Sequence, residues 1–189
     1  MRTYVALLRG VNVGASTKFP MQMFRALLED MGGSNVVTHL QSGNALFDHE
    51  PDAPERFAAL LQERTEAELG RVVPCVVVES ADLRRVIERN PFDVGTEIAP
   101  ARFLVTFLSG KVDPDRLEDL DPAAYAPEEF SAGEREIYVH CPNGVHKARL
   151  SHAFWEKRLG LTATARNWNT VTRLAELAGV WPESSPDRP

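Results

Sequence analysis

Three short polar runs carry the residue types capable of chemistry. They are Arg9-Gly10-Val11-Asn12-Val13-Gly14, Gln41-Ser42-Gly43-Asn44, and Thr164-Ala165-Arg166-Asn167-Trp168-Asn169-Thr170. In the first, two glycines and Asn12 expose backbone N–H groups beside Arg9 and ahead of a helix start, which suits an anion. The same glycines serve equally to turn the chain while Asn12 caps the loop from within. A triphosphate P-loop is excluded, because Gly10 and Gly14 are one residue too close and Lys18 is displaced from the lysine position. In the third run, Arg166 can clamp an anion with paired hydrogen bonds while Trp168 stacks on a ring. The competing reading puts Trp168 in the core and lets Asn167 and Asn169 hold a buried loop. Asn169 has the character of a helix N-cap, with Thr170 in the first turn. Ser42 would need a base to act as a nucleophile, and His39 is the one near in sequence. A metal is not expected: His140, Cys141 and His146 match no zinc spacing, and strand neighbours face opposite sides.

The elements that must position these runs alternate between strand and helix. Tyr4 to Leu8 reads as a strand, and a helix begins near Pro20, carries Met23, Phe24, Leu27, Leu28 and Met31, and stops at Gly32-Gly33. Val36 to Leu40 and Ala45 to Phe47 read as strands around a turn at Ser42-Gly43-Asn44. Asp52 and Glu55 have capping-box spacing before a helix reaching Gly70, and Val72 to Val78 follows as a strand. The order β-α-β-β-α-β is that of a ferredoxin-like unit.

A connecting helix from Ser80 to Asn90 carries Leu83, Val86 and Ile87. The pattern then repeats without repeating the sequence: a strand Arg102 to Leu108, a short helix from Asp113-Pro114 with Leu117 and Leu120, and strands near Phe130 and from Glu136 to Cys141. A helix from about His146 to Leu159, an extended piece Thr162 to Arg166 and a last helix closed by Gly179 complete it. The reading is an α+β fold of two ferredoxin-like half-domains, 1–79 and 102–180, joined by a helical connector over 80–101, with a flexible tail over 181–189. Tyr4-Val5-Ala6-Leu7-Leu8 and Val76-Val77-Val78 do not alternate polar with apolar, so both faces of each sheet should be covered.

With 189 residues, 43% hydrophobic and 25% charged, the chain has the balance of an ordinary globular protein. No apolar run approaches the roughly 20 residues of a membrane span. The start has no signal-peptide pattern, so a reducing cytoplasm is expected, with Cys75 and Cys141 as small buried hydrophobes. The net charge of -6 hides segregation. Residues 1–25 hold Arg2, Arg9, Lys18 and Arg25 and no acid, and 140–173 hold six cations against Glu156 alone. Residues 111–136 hold nine carboxylates. This points to an anion-facing region built from both chain ends, unless the cations scatter and pair locally.

The three polar runs closely resemble the signatures of the domain-of-unknown-function 1697 family of bacterial proteins. Its Leu-Leu-Arg-Gly-(Ile/Val)-Asn-Val-Gly block is matched at Leu7 to Gly14. Its Thr-aromatic-Ile-Gln-Ser-Gly-Asn hairpin is matched at Thr38 to Asn44, with His39 at the aromatic position and Leu40 at the isoleucine. Its Thr-x-Arg-Asn-Trp-Asn-Thr-Val block is matched at Thr164 to Val171. Where the family tends to show Ser-Lys after a Pro-x-Gly turn, this chain has Ala148-Arg149 after Pro142-Asn143-Gly144, keeping the cation and losing the hydroxyl. The resemblance implies an α+β fold built on ferredoxin-like units and implies no activity.

The leading expectation is a polar cleft binding a small anionic ligand, phosphate-bearing ligands included, through Arg9, Asn12, Ser42, Asn44, Arg166, Asn167, Trp168 and Asn169. No cofactor is expected, and the chain is read as a monomer or homodimer. Rival readings are an enzyme of acyl or phosphoryl transfer in the same cleft, and a nucleic-acid-associated protein using the basic segments. RNA binding on an open sheet is disfavoured, since Ala45-Leu46-Phe47-Asp48 lacks the glycine, aromatic and basic pattern. A further possibility is that the three runs form one structural hydrogen-bond network.

Overall fold

The computed structural model describes residues 1–181, so from residue 182 on the expected tail lies outside the described residues. The first half runs β1 (Arg2–Leu8), α1 (Met21–Asp30), β2 (Ser34–His39), β3 (Asn44–His49), α2 (Pro54–Leu69) and β4 (Cys75–Glu79). Its strands pair antiparallel in the order β2-β3-β1-β4. After α3 (Ser80–Glu88), the second half runs β5 (Phe103–Leu108), β6 (Glu129–Ala132), β7 (Glu136–His140), α4 (His152–Leu159), β8 (Ala163–Asn167) and α5 (Trp168–Leu177). Its sheet order, β6-β7-β5-β8, reproduces that of the first, again all antiparallel. The β-α-β-β-α-β order thus recurs, except that two 3-10 turns replace the second half's first helix.

The unbroken apolar run of β1 has a simple outcome. Tyr4, Ala6 and Leu8 point to a core with Phe24 and Leu28 of α1 and Phe57 and Leu61 of α2, while Val5 and Leu7 point the other way. That second face joins Leu83, Val86 and Ile87 of α3, Phe103, Val105 and Phe107 of β5, Tyr138 of β7, and Val171 and Leu174 of α5. A third core beyond the second sheet gathers Leu108, Ile137, Val139, Trp155 and Leu159. Both faces of both sheets are therefore covered, as a period-2 strand without polar positions demands. The middle core belongs to both halves at once. Cys75 and Cys141 are buried and unpaired, and burial pushes both thiols up to about 12.

Several local expectations are corrected. Asp52 does not cap α2: Ala53 is the cap and Pro54 the first residue, while Asp52 Oδ1 accepts from the Ala53 N–H and pairs with Arg56. Pro74, lacking an N–H for the ladder, stays outside β4, which starts at Cys75 and not at Val72. The helix expected near Asp113 is two 3-10 turns, Pro114–Arg116 and Pro122–Tyr125, whose aspartate caps and prolines close single turns only. The helix expected from His146 is split into a 3-10 turn, Val145–Lys147, and α4, which starts after Ser151 accepts from the Phe154 N–H. Among the described residues no helix is long and apolar enough to cross a membrane.

Phe103 is fully buried and rests against Phe92, Tyr138 and Trp168 at centroid distances of 5.3, 6.4 and 5.6 Å. Phe103→Ala should cost about 3–5 kcal/mol, as a large aromatic leaving a shared core does. Because that core spans both halves, far-UV dichroism and tryptophan fluorescence should unfold together in urea. Two separated transitions would contradict a shared core.

Candidate functional site

The three polar runs do converge, on the C-terminal end of β1. At their centre is Arg166 of β8, 8% exposed. Its Nε donates to Asn44 Oδ1 at 2.5 Å. Nη1 donates to Thr164 Oγ1 at 2.8 Å and the Ala165 carbonyl at 2.9 Å. Nη2 donates to the carbonyls of Leu8 at 2.6 Å, Gly43 at 3.2 Å and Ser42 at 3.4 Å. All five N–H donors of the guanidinium are thereby engaged. No carboxylate within salt-bridge distance balances it among the described residues, and burial lowers its pKa to about 10. The six acceptors come from β1, the β2–β3 turn, the start of β3 and β8, so a single side chain ties the first sheet to the second.

The other candidates stand around this knot. Asn44 is fully buried and donates from Nδ2 to the His39 carbonyl and to Ser42 Oγ, at 2.9 and 3.0 Å. Asn12, at φ 55°, donates from Nδ2 to the carbonyls of Phe19 and Gln41 and accepts from the Phe19 N–H, lacing the first loop to the turn. Arg9 pairs with Glu156 of α4 and donates to the Ala163 carbonyl at 3.5 Å. Ser42 is exposed, and its hydroxyl accepts from Asn44; among the described residues no imidazole or carboxylate bonds to it. Asn167, not Asn169, is the N-cap of α5, because β8 runs on to Asn167 and its Oδ1 accepts from the Thr170 N–H and hydroxyl at 2.9 Å each. Trp168 lies edge-on to Phe103 at the rim of the middle core, and Asn169 faces solvent.

The cations of the two basic segments are dispersed. Arg2 pairs with Glu79, Arg158 with Asp119 and Arg173 with Glu176, while Arg166 is buried. Arg149, the cation kept beside Ala148, donates to the Ala124 carbonyl at 2.6 Å and lies 5.1 Å from the Tyr125 ring. His140 pairs with Glu129, while Cys141 is buried in the third core, so the two do not share a face.

A second polar place lies between the sheets on the β7 side, where β4, α3, β5 and the β6–β7 turn enclose a cleft of about 280 Å³. Val78, Val86 and Phe107 supply apolar wall, and the rim carries Arg85, Arg89, Lys111 and Arg135 with Glu134 and Glu136. Arg89 and Lys111 share one carboxylate, Glu134, at 3.8 and 2.7 Å. Arg135 reaches Glu55 of α2 and the Ser109 carbonyl through Nη2, while its Nε is buried with no partner. Glu136 is 6% exposed and forms no ion pair among the described residues; its carboxylate accepts from the Arg135 N–H at 2.9 Å. None of these residues stands out as a motif. The available signal was spacing: Glu136 and Tyr138 are two apart on a strand and must share a face.

The model of the DUF1697 family, a protein family of unknown function, matches residues 1–138. The chain belongs to that family. Conserved bacterial protein SP0830 from Streptococcus pneumoniae, a solved structure, is similar over 95% of this chain and 99% of its own, at 20% identity and a TM-score of 0.74. That similarity establishes a common fold. No curated protein matches.

Substituting the knot should be costly. Arg166→Lys should destabilise by about 3 kcal/mol or more in urea unfolding, because three ammonium donors cannot serve six acceptors and each buried acceptor left unpaired costs about 1–3 kcal/mol. At Gly43, φ is +78° and an added Cβ would sit 2.6 Å from Leu8 Cβ. Gly43→Ala should therefore lose more stability than Gly10→Ala, where φ is +67° and nothing lies within 4 Å.

The pKa of His152, at the start of α4, is lowered by burial and then by Arg9, and that of His39 by burial and then by Arg173. Each is depressed in the folded state, so the unfolded chain binds the extra proton first. Stability should be held above the unfolded value near 6.5 and fall as pH drops below it. His152→Gln should flatten the melting temperature between pH 7 and pH 5.5, and an unchanged slope would count against this account.

Proposed function

We propose that this protein binds a small ligand bearing an acidic group, and that the binding site is the cleft between the two sheets near Arg135. The three family signature runs, on this reading, clasp the halves together so that the cleft keeps a fixed width. The observation that carries the reading is the buried, unpartnered Nε of Arg135 on a cleft wall, beside two cations that share one carboxylate. A buried N–H without an acceptor is costly, and a ligand oxygen would satisfy it. At about 280 Å³, lined by Pro54, Val78, Val86 and Phe107 among eight charged residues, the cleft has the size and polarity to hold a small charged ligand. The knot at Arg166 supports the clasp role, since its donors already meet acceptors of the chain itself.

The reading is tested by thermal shift with 4-methylpentanoate, benzoate and inorganic phosphate. At least one should raise the melting temperature of the wild type, and Arg135→Met should abolish that shift while Lys18→Ala, in the first signature loop, keeps it. Shifts lost in Lys18→Ala and retained in Arg135→Met would return the site to the signature loops.

A further inference from the structure

Tyr138 holds one phenolic proton, yet its oxygen stands 2.8 Å from the Val86 carbonyl and 3.1 Å from Glu136 Oε1, two acceptors for one donor. Burial and the neighbouring Glu136 raise the Tyr138 pKa, so the phenol remains protonated and that single proton is fixed in number. The Val86 carbonyl, at the shorter distance, has the better claim. Glu136 Oε1 is then left short of a donor, while Oε2 accepts from the Arg135 N–H. An ionised carboxylate has about four acceptor positions, so Glu136 can take further donors. Its position is fixed by the β6–β7 turn: a Cβ on Gly133 would fall 2.1 Å from Glu136 Oε1, so that residue has to be glycine for the carboxylate to lie there.

The cleft thus has two deficits of opposite sign on adjacent residues. Arg135 Nε lacks an acceptor, while Glu136 Oε1 competes with a carbonyl for the one Tyr138 proton and its carboxylate has no ion-pair partner among the described residues. Around them the rim is balanced in kind, with Arg85, Arg89 and Lys111 against Glu79, Asp82 and Glu134. A purely anionic ligand would answer Arg135 and leave Glu136 as it is, with a second negative charge brought close to it. A ligand carrying both an anionic and a cationic group answers both. Val78, Val86 and Phe107 beside them favour an apolar remainder.

We propose that the cleft takes a small zwitterion of the α-amino acid class with an apolar side chain, its carboxylate on Arg135 and its ammonium on Glu136. This rests on the cleft being a ligand site, as proposed above, and adds the cationic half of the ligand. Tyr138, its proton given to the Val86 carbonyl, leaves Glu136 Oε1 open to a donor from the ligand.

The test is calorimetric titration of the full chain with L-leucine, with 4-methylpentanoate, which lacks the amine, and with 3-methylbutylamine, which lacks the carboxylate. L-leucine should bind at least tenfold more tightly than either. Glu136→Gln should erase the preference for L-leucine over 4-methylpentanoate while the acid itself still binds, and Arg135→Met should weaken both. Tyr138→Phe keeps the carboxylate and removes the competing hydroxyl, so it should retain the preference for L-leucine. Equal binding of L-leucine and 4-methylpentanoate overturns the zwitterion while leaving an acid-binding cleft. A preference that survives Glu136→Gln, or is lost in Tyr138→Phe, overturns the role given to Glu136. Failure of all three probes overturns the zwitterion and the cleft together.

Discussion

The fold turns on a buried guanidinium with no counter-charge. Removing a cation from water is expensive, and Arg166 is compensated by hydrogen bonds to neutral oxygens alone. Such compensation works only if every oxygen arrives in the plane and direction of the guanidinium fork. That requirement couples places far apart in sequence. The end of β1, the turn before β3 and the strand β8 must all be in register before Arg166 can be buried at all. Gly43 serves the same constraint, since only a residue without a side chain can bring its carbonyl past Leu8 at positive φ. Asn12 and Asn44 extend it outward, bracing the first loop and the hairpin turn that present those oxygens.

The middle core complements the knot. Hydrophobic burial is non-directional and sets no register, whereas a fork of hydrogen bonds does. Val5, Leu7, Phe103 and Phe107 draw the two sheets together around α3 and α5. Arg166 then fixes how one sheet lies against the other at one end of the shared core. Toward β7 a space remains between the sheets, the cleft walled by Val78 and Phe107. The knot and the cleft meet on one row of the second sheet, where Phe107 pairs with Thr164 on one side and Glu136 on the other, so a change at Arg166 has a direct mechanical route to the cleft.

How much of this was legible in the sequence depends on the kind of signal. The unbroken apolar run of β1 forced sheets covered on both faces, because alternation leaves no polar side to meet water. The recurring succession of elements followed from periodicity, save the second half's first helix, even though the halves share no evident sequence likeness. Helix ends were read less well. Asp52 looked like a cap and is not one, because Pro54 already sets the first turn and Asp52 turns to Ala53 and Arg56 instead. The convergence of the three polar runs was legible, but the direction of their side chains was not. Arg166 and Asn44 carry the same residue types whether they face a ligand or each other, and the pairing of β8 with β5 and of β3 with β1 and β2 decides between them.

The cleft residues were invisible for a related reason. Arg135 and Glu136 sit in a stretch whose abundance of carboxylates reads as a solvated face, and average charge conceals a single buried member. What marks them is a mismatch of protons: one N–H too many at Arg135 and one too few between Tyr138 and Glu136. In the knot the count closes, with every guanidinium donor matched. In the cleft it does not. Since buried polar groups are ordinarily satisfied, a place where donors and acceptors fail to match is better suited to recognise something outside the chain than one where they do.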